Sequence, residues 1–307
     1  MPIENHKTLY SELLSKIKGA VFKSEPMSLH TSFRIGGPAD LFILPKNLDD
    51  LVTLYEFANN HGIPVCLIGQ GSNLLISDLG FHGIVIQMQS NWNQIRFTDN
   101  ILTVESGVLS QRLLQEALAH RFIGLDFLSG IPGSIGGCTF MNAGSNQRSI
   151  SDVIVSAEVF NTNTMKIETF LRSDFQFQYR SSVLHENHFV VLSIRLELSE
   201  GDSRVEKEKI RTWKEKRISS QPLQYPNAGC IWKNPDTISA GKLIESAGLK
   251  GYQIGEAQIS RLHGNFIINT GKATAMNVFD VINHTEETIY KQFGIQLIRE
   301  IQLIGEF

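Results

Sequence analysis

The sequence predicts a globular protein of the α/β or α+β class, and three observations lead to that prediction. Helix and strand patterns alternate along all 307 residues, which argues against an all-helical or all-strand fold. Two glycine-rich segments, 69–73 and 130–137, interrupt the first two thirds of the chain. A polar, charged segment at 197–209 is the best candidate for a domain boundary. Length alone suggests about two domains, with room for a third.

The elements follow from the spacing of apolar residues. A helix is predicted over 48–61 and another over 275–293, each followed by a glycine, Gly62 or Gly294, that can serve as a C-cap. Further helices are predicted in the first 20 residues and at 109–120, 205–217 and 240–248. Strands are predicted at 63–69, 74–76, 152–160, 188–198 and 295–305.

Composition excludes several classes of function. The chain is 42% hydrophobic and 19% charged, with a net charge of −3, so no overall positive field attracts nucleic acid or an anionic membrane. The first residues read as an amphipathic helix rather than a signal peptide, and the apolar runs are shorter than the ~20 residues that cross a bilayer. Three cysteines, odd in number, widely separated and without a CxxC pair, argue against a disulfide framework and for a reducing compartment. We therefore expect a cytoplasmic protein.

The glycine segments do not match the common nucleotide-binding motifs. Residues 69–73 begin like GxGxxG, but Leu74 stands where the third glycine is needed. Asn91 and Trp92 stand where the motif requires an acidic residue. Residues 130–137 lack the Lys-Ser/Thr ending of a P-loop. Two readings stay open: the segments are tight turns, or their backbone N–H groups form nests that hold a pyrophosphate.

Seven motifs in order carry a resemblance to a known family. They occur at 30–40, 68–86, 129–144, 179–182, 227–235, 240–260 and 299–307, and they read HTSFRIGGPAD, IGQGSNLLISDLGFHGIVI, SGIPGSIGGCTFMNAG, YRSS, NAGCIWKNP, AGKLIESAGLKGYQIGEAQIS and REIQLIGEF. Together they closely resemble the UDP-N-acetylenolpyruvoylglucosamine reductases, from about His30 to the end of the chain. The short connection between YRSS and NAGC resembles the compact subclass that lacks an extra substrate-covering loop.

The resemblance implies an α+β fold with two FAD-binding subdomains of the vanillyl-alcohol-oxidase (PCMH) type and a C-terminal α+β substrate-binding domain. We place these domains at 1–88, 89–202 and 203–307. The implied activity is NADPH-driven, FAD-dependent reduction of UDP-N-acetylglucosamine enolpyruvate to UDP-N-acetylmuramate, in synthesis of the peptidoglycan precursor of the cell wall. FAD would be bound non-covalently, and we expect a monomer. The alternative is another flavin oxidoreductase with the same FAD-binding fold and a different substrate.

The same resemblance implies the residues that contact FAD. They lie in the first three motifs, which include both glycine segments: Arg34, Ile35, Gly69, Gln70, Gly71, Ser72, Asn73, Gly130, Ile131, Pro132, Gly133, Ser134, Gly136, Gly137, Met141, Asn142, Ala143 and Gly144.

The chemistry explains the residue types implied at the catalytic positions. Hydride addition to an enolpyruvyl group creates an enolate, which needs a cation beside it and a proton donor. Arg180 matches the family arginine, and a guanidinium can hold a carboxylate with two bonds. Glu300 matches the family carboxylate, although strand alternation alone marks Arg299 as the misplaced charge on an apolar face. We follow the motif and choose Glu300.

Cys230 stands where the family usually carries the serine that donates the proton. A thiol, with a reference pKa of about 8.5, is a stronger acid than a hydroxyl, but a thiolate has no proton to donate. The alternative is a packed thiol with no chemistry, which we assign to Cys66 in its apolar strand. Cys138 lies in a segment predicted to line the flavin, where a small residue suffices.

Substrate contacts are implied at Tyr179, Arg217, Lys233, Asn234 and His263, and the default reading of the helix that carries Arg217 is a solvated helix.

Two other classes of function stay open. A cysteine-nucleophile hydrolase needs a base beside its thiol, and none of the nine histidines lies in a recognisable signature. A non-catalytic nucleotide-binding protein would show no flavin reduction by NADPH.

Overall fold

The computed structural model describes residues 3–186 and 188–307. Across these residues the helices are α1 (Ile3–Lys16), α2 (Leu48–His61), α3 (Ser110–Ala119), α4 (Ile135–Phe140), α5 (Ser203–Ser220), α6 (Ala240–Ser246) and α7 (Ala275–Phe293). The strands are β1 (Ala20–Pro26), β2 (Pro38–Leu44), β3 (Val65–Ile68), β4 (Leu74–Ile76), β5 (Phe81–Gln87), β6 (Ile95–Thr98), β7 (Ile101–Glu105), β8 (Phe122–Ile123), β9 (Gly144–Ser145), β10 (Arg148–Ser149), β11 (Ile154–Asn161), β12 (Lys166–Leu171), β13 (Phe189–Glu197), β14 (Ser199–Glu200), β15 (Asn227–Cys230), β16 (Gln253–Ile254), β17 (Ala257–Ile259), β18 (Phe266–Asn269) and β19 (Gln302–Ile304).

The chain forms two compact units, and both are discontinuous in sequence. Unit 1 consists of the residues up to Ser24, Asp40–Gly69 and Gly83–Arg211. Unit 2 consists of Glu25–Ala39, Gln70–His82 and Thr212–Phe307. The predicted division at residues 88 and 202 stays a prediction.

Unit 1 contains two larger sheets and two short strand pairs, β9 with β10 and β8 with β14. An antiparallel five-stranded sheet has the order β12-β11-β13-β7-β6, and a four-stranded sheet of order β1-β2-β5-β3 contains the parallel pair β3 and β5. Alternate residues of β11 and β13 face a core that also receives α3 and α4. A second core lies between the four-stranded sheet and α2, where Leu51, Leu54 and Phe57 recur at helical spacing.

Unit 2 holds an antiparallel sheet of order β15-β18-β17-β16 and a short parallel pair of β4 with β19. The buried face of α7, with Val278, Val281, Ile282 and Ile289, packs into the same core as the fully buried indole of Trp232. This core supports the backbone on both sides of Cys230.

Most of the predicted elements are confirmed. Helix α2 begins after Asn47, whose side chain accepts a hydrogen bond from the Asp50 N–H, and ends at Gly62 with a left-handed φ of 63°. Helix α7 ends at Gly294 in the same conformation, with φ of 68°. The charged segment 205–217 is helical, within α5.

The prediction of one long strand over 295–305 is wrong for its first seven residues. Only Gln302–Ile304 form a strand, because the parallel partner β4 offers just three residues, Leu74–Ile76. The predicted alternation of faces nevertheless holds: Leu297 and Ile301 are buried, while Ile298 is exposed.

None of the helices in the described part of the chain is both long and apolar enough to span a membrane. Within residues 3–186 and 188–307 there is also no group of three or more His, Cys, Asp or Glu side chains arranged to hold a metal ion.

Candidate active site

The first glycine segment crosses from unit 1 into unit 2 after Gly69. In unit 2 the Gly71 carbonyl accepts from the Ser32 N–H at 3.0 Å, and the Asn73 carbonyl accepts from the Gln302 N–H at 3.0 Å. Gly71 has φ of 64°, and a Cβ there would lie 1.9 Å from the His30 carbonyl oxygen, so only glycine fits. In a trans peptide the N–H points opposite to the carbonyl. The N–H groups of Ser72 and Leu74, which follow these two carbonyls, therefore point away from Ser32 and Gln302.

The second glycine segment leads into α4 in unit 1. Ser134 is the N-cap, and its hydroxyl accepts from the Gly137 N–H at 3.4 Å. The Gly136 N–H donates to the Ser106 carbonyl at 2.8 Å. Gly69 lies against this turn, since a Cβ at Gly69 would lie 2.6 Å from the Ser134 hydroxyl. The structure therefore brings the start of the first segment onto the second, within unit 1.

The two residues predicted from the HTSFRIGG motif lie in different surroundings. Ile35 is buried in the core of unit 2, and the Thr31 hydroxyl donates to its carbonyl at 2.8 Å. Arg34 is exposed and adopts a left-handed φ of 56°, which is uncommon for a residue other than glycine. Of the pair, Arg34 has the side chain that can reach a ligand.

Arg180 lies in a tight turn fastened to the segment after α4. Gln178 and Ser181 exchange backbone hydrogen bonds, and Arg180 takes a left-handed φ of 54° between them. Its guanidinium donates to the Gly144 carbonyl at 2.7 Å and to the Asn142 carbonyl at 3.5 Å. The structure thus brings Arg180 together with two predicted FAD contacts in unit 1.

Tyr179 and Ser182 complete this turn. The Ser182 hydroxyl donates to the Phe140 carbonyl at 2.8 Å, at the end of α4. Tyr179 is exposed, and the Arg180 guanidinium carbon lies 5.2 Å from its ring centroid. The phenol is therefore available at the surface of unit 1 beside the candidate cation.

Two of the three thiols have a raised pKa. Cys66 is partly buried, and desolvation raises its pKa to about 12, which fits the packing role predicted for it. Cys138 lies on α4 and faces the core, where burial raises its pKa to about 12 although the charge of Arg180 lowers it. Its side chain packs in the hydrophobic core rather than on the surface of the glycine segment.

Cys230 ends β15 in unit 2, next to an irregularity in the ladder. Asn227 pairs with Ile268 and Cys230 pairs with Phe266, with Gly229 at φ of 75° in the bulge between them. Cys230 is partly buried. The bulge changes the direction of the strand immediately before the thiol.

Glu300 lies beside the segment that follows Cys230. Its N–H donates to the Ile231 carbonyl at 2.8 Å, and its own carbonyl accepts from the Asn73 side-chain amide at 3.1 Å. Three predicted site residues, Asn73, Cys230 and Glu300, are therefore linked within unit 2 through at most one intervening residue.

Arg299 is fully engaged in structure. Its guanidinium donates to both carboxylate oxygens of Glu286 at 2.7 Å and to the side-chain oxygen of Asn283 at 2.8 Å. This ion pair raises the pKa of Arg299. Arg299 and Glu300 leave alternate sides of the chain, so the charge that strand alternation marked as misplaced has its partner on α7.

The other predicted substrate residues carry structural bonds of their own. The Asn234 side-chain oxygen accepts from the Ala240 N–H at 3.1 Å, at the start of α6. Arg217 donates to the Gln221 side chain at 3.2 Å, and Lys233 donates its backbone N–H to the Ile298 carbonyl at 2.8 Å.

His263 is mostly a structural residue. Its Nδ1 accepts from the Asn265 N–H at 3.2 Å, and its ring lies edge-on to Phe266. Burial and the neighbouring charge of Lys250 lower its pKa, so the imidazole is neutral near pH 7.

Sequence reasoning missed Asn265, a buried asparagine that holds the backbone after Cys230. Its side chain accepts from the Trp232 N–H at 2.9 Å and donates to the Trp232 carbonyl at 2.8 Å. The side-chain amide of Asn265 thus bonds the Trp232 backbone as a neighbouring strand would. The signal available in the sequence was a polar residue at the start of the apolar run 266–268.

Comparison with known proteins places this architecture in a class. Residues 39–169 match the family of the FAD binding domain, and residues 221–304 match the C-terminal domain of UDP-N-acetylenolpyruvoylglucosamine reductase. The chain is therefore an oxidoreductase with an FAD-binding module of the PCMH type followed by a C-terminal α+β domain.

Full-length relatives define the family. The chain is 39% identical over 299 residues to UDP-N-acetylenolpyruvoylglucosamine reductase of Caldanaerobacter subterraneus subsp. tengcongensis, covering 96% of this chain and 98% of that one. It is 40% identical over 280 residues to the enzyme of that name from Clostridium perfringens, covering 91% of each. The crystal structure of the Thermus caldophilus reductase matches with a TM-score of 0.80 at 29% identity, over 94% of this chain and 100% of that one. The chain belongs to the UDP-N-acetylenolpyruvoylglucosamine reductase family.

Proposed function

We propose that this protein reduces UDP-N-acetylglucosamine enolpyruvate to UDP-N-acetylmuramate, with NADPH as reductant and non-covalent FAD as the intermediate carrier. The observation that carries the proposal is the attachment of Arg180 to the Asn142–Gly144 backbone, because it supplies a fixed cation beside a predicted cofactor segment. We also propose that the protein is a monomer and that it acts in the cytoplasm, where soluble NADPH and the sugar nucleotide are accessible.

Two features of the second glycine segment fit a polar ligand group in unit 1. A Cβ at Gly137 would meet only the Ser134 hydroxyl, at 3.6 Å, so the backbone there has an open side. The buried Ser106 hydroxyl has no hydrogen-bond partner within the described residues, and a Cβ on Gly136 would lie 3.0 Å from the Ser106 Cβ. A polar ligand group would satisfy that hydroxyl.

In this proposal FAD is held by the segments 69–73, 130–137 and 141–144, with Arg34 and Ile35. FAD bound there, once reduced by NADPH, would supply the hydride that is added to the terminal carbon of the enolpyruvyl group. The side chains of this protein then have two tasks: to stabilise the negative charge that develops on the substrate, and to deliver a proton to the adjacent carbon.

Arg180 has the first task. Hydride addition moves negative charge into the substrate carboxylate, and a guanidinium retains its proton at any working pH. Its 2.7 Å bond to the Gly144 carbonyl, with a weaker 3.5 Å contact to the Asn142 carbonyl, holds the guanidinium in place before substrate arrives, so little reorganisation is needed when the charge appears.

Cys230 has the second task, with Glu300 as the carboxylate that polarises or relays the proton. The thiol gives its proton to the carbon next to the carboxylate, which completes the lactyl ether and leaves a thiolate to be reprotonated. The link from Cys230 through Ile231 to the Glu300 N–H supports a shared role, because it fixes the spacing of the two backbones. Tyr179, Lys233, Asn234, Arg217 and His263 are the proposed contacts to the sugar nucleotide.

The test is spectroscopic. Purified protein is expected to show flavin absorption that NADPH bleaches in the absence of oxygen. Addition of UDP-N-acetylglucosamine enolpyruvate should restore the absorption and yield UDP-N-acetylmuramate, detected by mass spectrometry. Restoration by oxygen but not by this substrate would contradict the proposal and favour a different flavin oxidoreductase.

A further inference from the structure

One polar cluster in unit 2 lies outside the proposed contacts to substrate and cofactor, and it centres on Glu286 of α7. One carboxylate oxygen accepts from the Trp232 indole N–H at 2.9 Å and from the Arg299 Nε at 2.7 Å. The other accepts from the terminal Arg299 nitrogen at 2.7 Å. A single side chain on α7 thus binds residues from two separate segments of the chain.

The cluster occupies one face of α7. Phe279, Asn283 and Glu286 follow at intervals of four and three residues, which places them along one stripe of a helix. The Arg299 guanidinium carbon lies 5.3 Å from the Phe279 ring centroid, and Asn283 accepts a further bond from Arg299. The guanidinium is therefore held on three sides by one rigid helix.

The two segments that Glu286 joins are the ones that carry Cys230 and Glu300. Trp232 and Arg299 form an antiparallel bridge, flanked by the Glu300 N–H to Ile231 carbonyl bond and the Lys233 N–H to Ile298 carbonyl bond, each 2.8 Å long. In such a pair the two side chains lie close together on one side. Arg299 directly precedes Glu300, and Trp232 follows Cys230 by two residues.

We propose that Glu286 is a positioning residue, which sets the spacing of Cys230 and Glu300 by holding Trp232 and Arg299 together. This inference rests on the proposed function, because it assigns the chemistry to Cys230 and Glu300. Glu286 itself touches neither of the reacting groups in this scheme. It acts through the register of the bridge: one carboxylate oxygen joins the Trp232 indole to Arg299, and the second oxygen adds a charge-assisted bond that fixes the guanidinium.

The geometry explains why the effect falls on the rate. Small displacements of a reacting group lower rates steeply, by about 100-fold for a shift near 1 Å. Removing the charge of Glu286 leaves the partly buried Arg299 without its ionic partner, so Arg299 turns toward solvent and the bridge loosens. The fully buried Trp232 stays in the core, and the two segments separate.

The experiment compares Glu286→Gln with Glu287→Gln in the full-length holoenzyme. The first substitution retains a side-chain oxygen for the Trp232 indole and removes the charge. Glu287 is the next residue on α7 and forms only an exposed pair with Lys291 at 3.2 Å, so it is a matched control. Glu286→Gln should lower kcat for the enolpyruvyl substrate about 10-fold to 100-fold, with KM within about threefold. Flavin reduction by NADPH should change less than about twofold in both variants, since it does not use Cys230 or Glu300.

Two further variants separate positioning from loss of folding. Arg299→Lys keeps the positive charge but loses the paired N–H donors that bind both oxygens of Glu286. It should therefore show a smaller loss of kcat than Glu286→Gln. The double variant should be no slower than Glu286→Gln alone, because both changes break one linkage. Equal losses in Glu286→Gln and Glu287→Gln, or equal losses in the two half-reactions, would overturn the proposal.

Hydrogen exchange provides a readout that does not depend on the substrate. The amides of Lys233 and Glu300 should exchange at least about tenfold faster in Glu286→Gln than in the wild type, because their bonds open more often. Unchanged exchange would overturn the positioning role. A wild-type enzyme that does not reduce the substrate, with faster exchange in the variant, would instead reject the proposed function and retain the positioning.

Discussion

The segments that carry Arg180 and Cys230 are held in opposite ways. In unit 1 the candidate side chain holds its own position, because the Arg180 guanidinium donates to the carbonyls of Asn142 and Gly144. In unit 2 the backbone around Cys230 is fixed by other side chains, above all Asn265 and Glu286. The placement of Arg180 therefore depends on its own bonds, whereas the placement of Cys230 depends on bonds made by other residues.

The thiols show the same contrast. Cys138, in unit 1, is buried against the core beneath the Arg180 turn, and its pKa of about 12 shows that burial outweighs the nearby cation. Cys230, in unit 2, is only partly buried.

The largest expected effect is in thiol alkylation. At pH 8 a thiol with a pKa of about 12 is thiolate in only about one molecule in ten thousand, so Cys66 and Cys138 should resist iodoacetamide in the folded protein. Cys230 should be alkylated first, and all three should react in denaturant. Peptide mass spectrometry over time measures the three rates. Labelling of Cys138 as fast as Cys230 would show that the core beneath the Arg180 turn is open.

Arg180→Met should lower kcat for the enolpyruvyl substrate by about 100-fold to 1,000-fold, as expected for the loss of a group that stabilises developing charge. Arg180→Lys should recover only part of the rate, because an ammonium keeps the charge but cannot make the two parallel hydrogen bonds of a guanidinium. Arg148→Met is a suitable control, since Arg148 is another arginine of unit 1 and pairs with Asp126 at 3.0 Å. Steady-state kinetics at equal flavin content measures the difference. A rate equal to that of Arg148→Met would remove Arg180 from the mechanism.

Asn265→Ala should destabilise unit 2 by about 3 kcal/mol, because the N–H and the carbonyl of the buried Trp232 both lose their partners. Asn100→Ala, which removes only an exposed bond to Glu197, should change stability by less than about 0.5 kcal/mol. The shift of the urea midpoint, followed by tryptophan fluorescence, compares the two. Equal midpoints would mean that the backbone after Cys230 does not depend on the Asn265 amide.

The sequence predicted most of the fold because its signals are local. Asn47 and Gly62 define the ends of α2 through bonds within one turn, and the pattern of α7 needs no knowledge of its partners. The extent of the last strand could not be predicted in this way. Its length is set by β4, which lies more than 200 residues earlier in the chain and contributes only Leu74–Ile76.

The candidate site was predictable to the same degree. Motifs gave the assignments of Arg180, Cys230 and Glu300, which stay predictions. The structural role of Arg299 could not be read from the sequence, because its partner lies 13 residues earlier on α7. Asn265 was missed because an amide that replaces a strand partner has no periodic signature. Long-range hydrogen bonds of this kind belong to the tertiary structure, and local patterns do not contain them.

The smallest expected effect tests the unusual thiol itself. Cys230→Ser should change turnover near neutral pH by less than about tenfold, because a hydroxyl in the same place can also donate a proton. The difference should appear on the alkaline side. As pH rises, a thiol loses the proton that it must donate, whereas a serine hydroxyl does not ionise in the accessible range, so the wild-type rate should fall while the variant rate persists. Substrate-dependent flavin reoxidation, followed from neutral to alkaline pH, measures both profiles. Identical alkaline limbs would mean that the Cys230 thiol does not donate the proton.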